Sequence, residues 1–227
     1  LFAGMTTGSA TQWPESIPEP RLTLQGLDPG SLPAGHDTII FPRAVLPVEE
    51  IAQPAAMLCN VYLNPDTDSV YRRFQLVSVF DKRPVPLLGL GAFLAAHPQT
   101  EIFLEQGLLK AGPASIPLDA RGNAIARFRG PSHTHTIYTA AQVIESELAL
   151  REGMKPAIRD REAFKDKYVL FGFSAPGLFD LKPSPAGMLA GVEIHATLLD
   201  NLLSGDFMRD APRWMTLLCV FAVALIS

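Results

Sequence analysis

Three residues of the kind that form a hydrolase triad occur in the chain order Ser174, Asp180 and His195. The serine follows an apolar run and Gly172, as in a nucleophile elbow, which also needs a second small residue and a helix directly after it. Here Pro176 takes the place of that second small residue, and the next predicted helix begins only near residue 191. His195 falls inside that helix, whereas catalytic residues are more often carried by loops. The pattern favours a structural turn and leaves a serine hydrolase as an alternative function.

The same loop has a second interpretation as a binding site for an anion. In open α/β sheets, ligand sites lie at the carboxyl ends of strands, and this loop begins at such an end in the predicted fold. Gly172, Ser174 and Gly177 would let backbone amides approach an anion or another segment of the chain. Asp180 would cap a turn or accept hydrogen bonds from such amides, and the turn is the favoured role.

Histidines supply two further candidate sites, both of them weak. Glu193 and His195 are two residues apart in a predicted helix and therefore do not share a face. For His195 the pattern favours a partly buried, hydrogen-bonded side chain over a metal ligand. His133 and His135 share one side of an extended segment and could bind zinc, but no third ligand lies near them in the sequence. The sequence therefore predicts no metal and no other cofactor.

Arginines in or beside predicted strands are the other candidates for ligand binding. They are Arg72, Arg73, Arg127 and Arg129. A guanidinium group can hold a carboxylate or phosphate ligand through two parallel hydrogen bonds. Structural pairing with Asp66, Asp68 or Asp119 is favoured, because most charged side chains at strand edges are solvated or paired. Together with the loop and the helix above, the candidate ligand-binding residues are Arg72, Arg129, Gly172, Ser174, Gly177, Asp180, Glu193 and His195.

Composition excludes several classes of protein. The chain has 227 residues, of which 48% are hydrophobic and 19% charged, so it can form a hydrophobic core and is neither disordered nor collagen-like. A net charge of −4 without a basic block argues against a nucleic-acid partner. Two cysteines cannot make a disulfide scaffold. Glycine-rich phosphate-binding motifs are absent from the sequence, which excludes the usual nucleotide-binding enzymes.

Apolar periodicity predicts strands alternating with helices, and hence an α/β fold with a central mixed sheet flanked by helices. The predicted strands cover residues 38–41, 57–63, 70–80, 115–119, 124–128 and 168–173. The run at 168–173 is almost continuously apolar, which is typical of a fully buried strand. The predicted helices cover residues 48–56, 87–97, 140–150 and 191–204. Turns are predicted at 64–68 and between the strands of a hairpin at 120–123, with long loops over 4–37 and 174–189.

Both ends of the sequence suggest a piece of a longer protein. It starts without an initiator methionine, and residues 214–227 form an uncharged apolar run. A membrane-spanning helix needs about 20 such residues, so we expect residues 211–227 to be the start of one, with Trp214 at the interface. The alternative is a buried helix of the core. Residues 1–210 would then form one domain whose N-terminal part is missing.

A series of motifs resembles the CHASE2 family of extracytoplasmic sensor domains. In order, it comprises Asn60 to Arg73, Ile116-Pro117-Leu118-Asp119, Arg127-Phe128-Arg129-Gly130-Pro131, Phe164 to Gly172, Gly177-Leu178-Phe179-Asp180, Met188 to Ala196 and Asp200 to Gly205. The resemblance covers roughly residues 38–214, and the long loop at 4–37 has no counterpart in it. The family pattern commonly has Tyr-Arg where this chain has Phe128-Arg129.

The resemblance implies a function in signalling. It implies that residues 1–210 lie outside the cytoplasm, next to the cell membrane, and sense an unknown small-molecule or protein signal without any catalysis of their own. A conformational change would pass through transmembrane helices to a cytoplasmic output, such as a nucleotide cyclase or a histidine kinase in the full-length protein. We also expect a homodimer, as is common for such sensors. A dimerisation scaffold that senses nothing is a further alternative.

Overall fold

The computed structural model describes residues 3–4, 8–19, 22, 24–25, 39–105, 107–174 and 180–226. The chain divides into two compact units, Leu1–Arg127 with Thr197–Ser227 (unit 1) and Phe128–Ala196 (unit 2). Helices and strands are mixed, which confirms the α/β prediction. The predicted central sheet is wrong for the described residues, because their strands form several small sheets of two to four strands each. All of these strands have only two to four residues, below the usual strand length of about five to six.

Unit 1 carries most of the strands. In chain order its elements up to residue 127 are β1 (Ala3–Gly4), β2 (Leu24–Gln25), β3 (Ile40–Phe41), β4 (Ala44–Val45), α1 (Glu49–Ala52), β5 (Arg73–Phe74), β6 (Val77–Phe80), β7 (Arg83–Pro86), α2 (Leu88–Ala96), β8 (Ile102–Glu105), β9 (Leu108–Ala111), β10 (Ala114–Pro117) and β11 (Ala124–Ile125). The sheets have the strand orders β1-β4, β10-β9-β8-β2, β11-β5 and β3-β6-β7. The β2-β8 and β3-β6 pairs are parallel, and the others are antiparallel.

The hairpin of β6 and β7 contributes Phe80 and Val85 to a hydrophobic core cluster of unit 1. Asp81 and Lys82 connect the two strands with φ angles of 46° and 63°, which suit the twist of a two-residue hairpin turn. All four residues of β6 are buried, and Phe80 packs against Trp13 with their ring centroids 6.4 Å apart. Sequence analysis predicted a single strand over 70–80, whereas the structure divides it into β5 and β6.

Two sequence predictions in unit 1 differ from the structure. Residues 57–63 form no strand, because the buried side chain of Asn60 bonds to Ser78 Oγ and to the amide of Tyr62, leaving a single bridge to Leu87. The predicted hairpin around residues 120–123 is reduced to one bridge, between Leu118 and Ala124. Its two strands instead pair elsewhere, β10 with β9 and β11 with β5.

Unit 2 contains one complete helix and one hairpin. The helix α3 (Ala140–Arg151) begins with a capping box formed by Thr139 and Gln142. The strands β12 (Leu181–Ser184) and β13 (Gly187–Ala190) form a hairpin within a segment predicted to be a loop. The helix α4 (Gly191–Ser204) follows at once and has the predicted bounds, and the boundary between the units falls within it. Gly205 ends it with a φ of 64°, the left-handed conformation expected of a C-terminal glycine.

The prediction of a buried strand at residues 168–173 is wrong. Within the part of the chain that the structure describes, no strand pairs with this segment. Its side chains are exposed instead, Phe171 by 75% and Phe173 by 63%. An apolar run is buried only where other elements pack against it. Among the described residues, nothing packs over the side chains of Val169, Phe171 and Phe173.

The helix α5 (Arg213–Ile226) contains most of the apolar C-terminal run and is 14 residues long. A crossing of the hydrocarbon layer takes about 20 helical residues. Among the residues described, no helix combines the length and the apolar character that a crossing requires.

Candidate functional site

A cleft of about 690 Å³ lies in unit 1, between the turn at residues 64–68, strand β5 and the loop that follows β10. Its lining is rich in charge and includes Asp66, Asp68, Arg72, Arg73, Asp119, Arg121 and Asp210. Cavities that bind small molecules are typically apolar with a few polar groups, so this cleft is built for charged or strongly polar contacts.

The turn before β5 brings two carboxylates next to the arginines. Asp66 N donates to the carbonyl of Val70, and Ser69 N donates to the carbonyl of Asp66. Ser69 has a φ of 65°, so the chain reverses sharply there. The side chain of Asp68 accepts a hydrogen bond from Val70 N at 3.2 Å. The turn predicted from Asn, Pro and Asp residues is confirmed.

Arg72 pairs with both carboxylates of this turn. Its Nη1 atom donates to Asp68 Oδ1 at 2.8 Å and to Asp66 Oδ2 at 3.3 Å. The hydrogen bonds from Arg72 and from the amide of Val70 lower the pKa of Asp68 to about 2. Asp68 is therefore charged at any physiological pH. The pairing of Arg72 with Asp66 and Asp68 confirms the structural role predicted from the sequence.

Arg73 joins three separate segments through one guanidinium group. Its Nη1 atom donates to Asp66 Oδ2 at 2.9 Å, its Nε atom lies 3.4 Å from Asp119 Oδ2, and its Nη2 atom donates to Asp210 Oδ1 at 2.7 Å. Asp119 is itself held by the amides of Arg121 and Asn123. The pairs with Asp66 and Asp119 were expected from the sequence. The pair with Asp210 was missed, because the two residues are 137 positions apart and no local pattern links them.

The segment between α4 and α5, residues 205–212, is here called the connector, and it is tied to unit 1 at three points. The carboxylate of Asp210 accepts from Arg73, and Met208 N donates to the carbonyl of Ile125 at 3.0 Å. The third tie is an ion pair, in which Asp206 Oδ2 lies 3.5 Å from Arg127 Nη1. The connector is therefore attached both to the charged cleft and to strand β11.

Asn201 fastens the end of α4 to the same part of unit 1. Its side chain is fully buried, accepts from Arg127 N at 2.7 Å and donates to the carbonyl of Arg127 at 3.0 Å. A side-chain amide satisfies both backbone groups of one residue in this way, so it acts like a neighbouring strand.

In unit 2, Glu193 is the most strongly bonded of the sequence-predicted site residues. Its buried carboxylate accepts from Ser132 Oγ at 2.9 Å, from His133 N at 2.8 Å and from Ala190 N at 3.1 Å. Burial alone would raise the pKa of Glu193, but the two backbone amides and the Ser132 hydroxyl outweigh it and lower the pKa below 4.5. The carboxylate therefore joins the loop after residue 131 to the start of α4.

The other predicted residues of unit 2 surround the start of α4. His195 is buried in α4, more deeply than expected. Asp180 accepts a hydrogen bond from Gly191 N through its carbonyl, and its carboxylate lies 3.4 Å from Lys182 Nζ. A Cβ atom at Gly191 would lie 2.7 Å from the carboxylate oxygens of Asp180, so a larger residue here would displace that carboxylate. These contacts are those of a structural turn.

Gly172 also approaches α4 closely, since a Cβ atom on it would lie 2.5 Å from Cβ of Val192. Ser174 is exposed and Arg129 is half-buried, while Gly177 lies outside the described residues. Residues 168–173, directly before Ser174, form no strand, so the strand–turn–helix geometry of a nucleophile elbow is not formed there.

Arg72 belongs to unit 1, and the remaining described candidates belong to unit 2. Among the described residues, no group of three histidine, cysteine, aspartate or glutamate side chains is arranged to hold a metal ion. For the described part of the chain, the charged cleft is therefore the candidate site with the clearest connection to other elements. Arg72 and its neighbours in this cleft were predicted from the sequence, but the link to the connector was not.

Comparison with known proteins supplies the family. Residues 12–227 match the CHASE2 domain, so the match also includes most of the loop at 4–37 that had no counterpart in the motif resemblance. No curated protein and no solved structure matches the chain. A match over nearly the whole length, with the motif series in order, is decisive: the chain belongs to the CHASE2 family, a family of extracytoplasmic, non-catalytic sensor domains of signalling proteins.

Proposed function

We propose that the charged cleft is the input site of a membrane-bound sensor, and that the connector carries the response towards the membrane. In this proposal, residues 1–210 sense a small-molecule or protein signal outside the cytoplasm. Residues 211–227 begin a transmembrane helix, which passes a change in position to a cytoplasmic output such as a cyclase or kinase. The link of Arg73 to both the cleft and the connector carries the proposal.

The character of α5 supports its place in the membrane. Between Trp214 and Ile226 it has no charged residue, and Trp214, Leu218 and Phe221 are all exposed. A helix that is apolar around its whole circumference is suited to a surrounding of lipid rather than water. Trp214, at its beginning, has the amphipathic ring that collects at the membrane interface.

The ion pairs of the cleft are suited to switching because each is weak. The side chains of Arg73 and Asp210 are 32% and 54% exposed, and ion pairs at such positions contribute about 0–1 kcal/mol each. A charged ligand that competes for Asp66 or for the guanidinium group would change how firmly Arg73 holds Asp210. A ligand can shift a conformational equilibrium only through such a difference in contacts between two states.

Exchange of Arg73 for alanine tests this link, with Arg72→Ala as the matched control. Both arginines lie in the cleft and both pair with Asp66, but only Arg73 reaches Asp210. In the full-length protein we expect Arg73→Ala to shift the basal output activity by about 5-fold or more, the lower end of typical allosteric coupling. Arg72→Ala should stay within about 2-fold, since its ion pairs join it to Asp66 and Asp68 of the turn and not to the connector. Equal effects of the two variants on output would contradict the proposal.

A second prediction concerns the connector itself. Insertion of a flexible Gly-Ser-Gly-Ser segment after Asp210 leaves the three ties at Asp206, Met208 and Asp210 in place but separates α5 from all of them. We expect the output of the full-length protein to lose its dependence on the cleft, so that Arg73→Ala has no further effect in this background. The measurement is the output activity of the insertion variant with and without Arg73→Ala. If Arg73→Ala shifts the output as much as in the native protein, transmission through the connector is refuted.

A further inference from the structure

We infer that the charged cleft of unit 1 binds a small ampholyte, a ligand that carries both an ammonium group and a carboxylate group, as an amino acid does. This inference rests on the proposed function of the cleft as an input site and adds the chemical class of the signal. The class follows from the charged and polar groups of the lining that protein partners satisfy only in part.

The opposite charges of the lining nearly balance. Four aspartates and three arginines line the cleft, which leaves a single negative charge in excess. Ligands are selected by charges that complement those of their site. A near balance of both signs therefore favours a ligand that carries both signs itself over one that carries several charges of the same sign.

Two carboxylates of the cleft have one oxygen to spare for an ammonium group. The Oδ2 atom of Asp66 accepts from Arg72 and Arg73, and the Oδ1 atom of Asp210 accepts from Arg73. Among the described residues, no donor bonds to Oδ1 of Asp66 or to Oδ2 of Asp210. Both carboxylates bond to the same guanidinium group and hence lie close together. An ammonium group bound there would compete with Arg73, which is the change in contact that the proposed function requires.

Arg121 supplies a cationic partner for the carboxylate group of the ligand. It lines the cleft two residues after Asp119, whose carboxylate accepts from Arg121 N at 2.8 Å. The guanidinium groups of Arg72 and Arg73 are paired with aspartates, whereas that of Arg121 pairs with no residue in the described part of the chain. A guanidinium group can hold a carboxylate through two parallel hydrogen bonds, so Arg121 is suited to this role.

Gln75 adds a second donor to the lining of the cleft. Its Nε2 atom is buried and has no hydrogen-bond acceptor among the described residues. A buried donor without a partner is costly, and native structures keep few of them. A carboxylate group bound in the cleft would give this donor an acceptor, which a simple amine could not do.

The size of the cleft suits an amino acid or a short peptide. Its volume of about 690 Å³ falls within the range of roughly 300–1,000 Å³ that is typical of small-molecule sites. Tyr62, Leu63 and Phe74 also belong to the lining and offer apolar contacts to the side chain of the ligand.

Saturation-transfer NMR of the full-length protein, with the twenty standard L-amino acids as probes, tests the inference. We expect at least one of them to bind, and titration calorimetry then gives its dissociation constant. Arg121→Ala should raise this constant by about 10-fold or more, because two charge-assisted hydrogen bonds are lost. Arg159→Ala is the matched control, an exposed arginine of unit 2, and should change the constant by no more than about 2-fold. Binding of none of the twenty, or equal effects of the two variants, overturns the inference.

Two derivatives of the amino acid that binds separate the roles of its charges. The methyl ester lacks the carboxylate charge and the Nα-acetyl derivative lacks the ammonium charge, so each should bind about 10-fold more weakly. Arg121→Ala should not weaken binding of the methyl ester further, because Arg121 then has no carboxylate to hold. A methyl ester that binds as tightly as the amino acid would make the ligand a simple amine, and an equally tight acetyl derivative would make it a simple anion. Either result contradicts an ampholyte.

A failure of this inference is distinguishable from a failure of the proposed function. Arg73→Ala acts on the basal output through Asp210 without any ligand, whereas binding of an amino acid is measured without the output. A shifted output in Arg73→Ala together with no binding of amino acids would refute the ligand class alone. Binding that depends on Arg121 together with an unshifted output would refute the link to the connector alone.

Discussion

Replacing Asn201 by leucine is expected to lower the free energy of unfolding by roughly 1–3 kcal/mol. Leucine has nearly the same size and fits a helix well, so the loss comes from the backbone of Arg127, whose amide and carbonyl both bond to the Asn201 side chain. Each of the two hydrogen bonds that leucine cannot make contributes about 0.5–1.5 kcal/mol to stability. Urea denaturation followed by the fluorescence of Trp13, which is buried against Phe80, measures the change.

Two variants control for effects unrelated to these hydrogen bonds. Leu203→Ala changes an exposed residue of the same helix and should cost less than about 0.5 kcal/mol. Asn201→Asp keeps the acceptor for Arg127 N but loses the donor to the Arg127 carbonyl, so its cost should be substantial as well. A loss below about 0.5 kcal/mol for Asn201→Leu would mean that Asn201 does not hold α4 to this strand.

Replacing Glu193 by alanine is expected to lower the free energy of local opening of the loop at 132–133 by roughly 2–3 kcal/mol at neutral pH. The buried carboxylate of Glu193 accepts hydrogen bonds from three donors, and all three would lose this charged acceptor. The donors are Ser132 Oγ, His133 N and Ala190 N. Hydrogen bonds to a charged group contribute more than neutral ones, and each donor that stays buried must then find another partner. Hydrogen exchange of the His133 amide, measured by NMR, reports the change directly.

The same carboxylate makes this loop sensitive to acid. The pKa of the Glu193 carboxyl lies below its ordinary value of 4.5 in the folded state. The ionised carboxylate therefore stabilises the loop fully above about pH 4.5, and this stabilisation is lost as the pH falls through the folded-state pKa. In the native protein, the protection of the His133 amide against hydrogen exchange, relative to its intrinsic rate, should therefore be lower at pH 3 than at pH 7. Glu193→Gln should remove most of this dependence, and Glu147→Gln, an exposed partner of Arg151, should leave it unchanged. An unchanged pH dependence in Glu193→Gln would assign the acid response to another group.

Local patterns in the sequence predicted the elements whose stability is local. The helix α4 has a continuous apolar face, begins with Gly191 and ends at Gly205, and the structure reproduces those bounds. The aspartates around Arg72 were likewise foreseen, because turn and arginine lie within eight residues of each other. Both cases depend on residues near in the chain, where spacing fixes geometry.

Features that depend on distant partners were not predicted correctly. The apolar run at 168–173 has the composition of a buried strand, but burial depends on what covers it, and that information is not in the run itself. The strand β11 was likewise predicted to pair with the neighbouring 115–119 segment, but it pairs with the distant β5, while β10 pairs with β9 directly before it. The contact of Arg73 with Asp210 joins residues that are 137 positions apart, so this feature of the candidate site could be recognised only from the fold.

The half-exposed ion pairs around Arg73 also make the cleft responsive to ionic strength. In 0.1 M salt, charges interact over a Debye length of about 10 Å, but in 1 M salt this falls to about 3 Å. Arg73 holds the connector through such a pair with Asp210, while the tie between Met208 and Ile125 is an uncharged backbone hydrogen bond. Rising salinity therefore loosens the first tie and spares the second. The position of the connector in a sensor outside the cytoplasm would in this way depend on the ionic strength of the surrounding medium, whatever other signal the sensor receives.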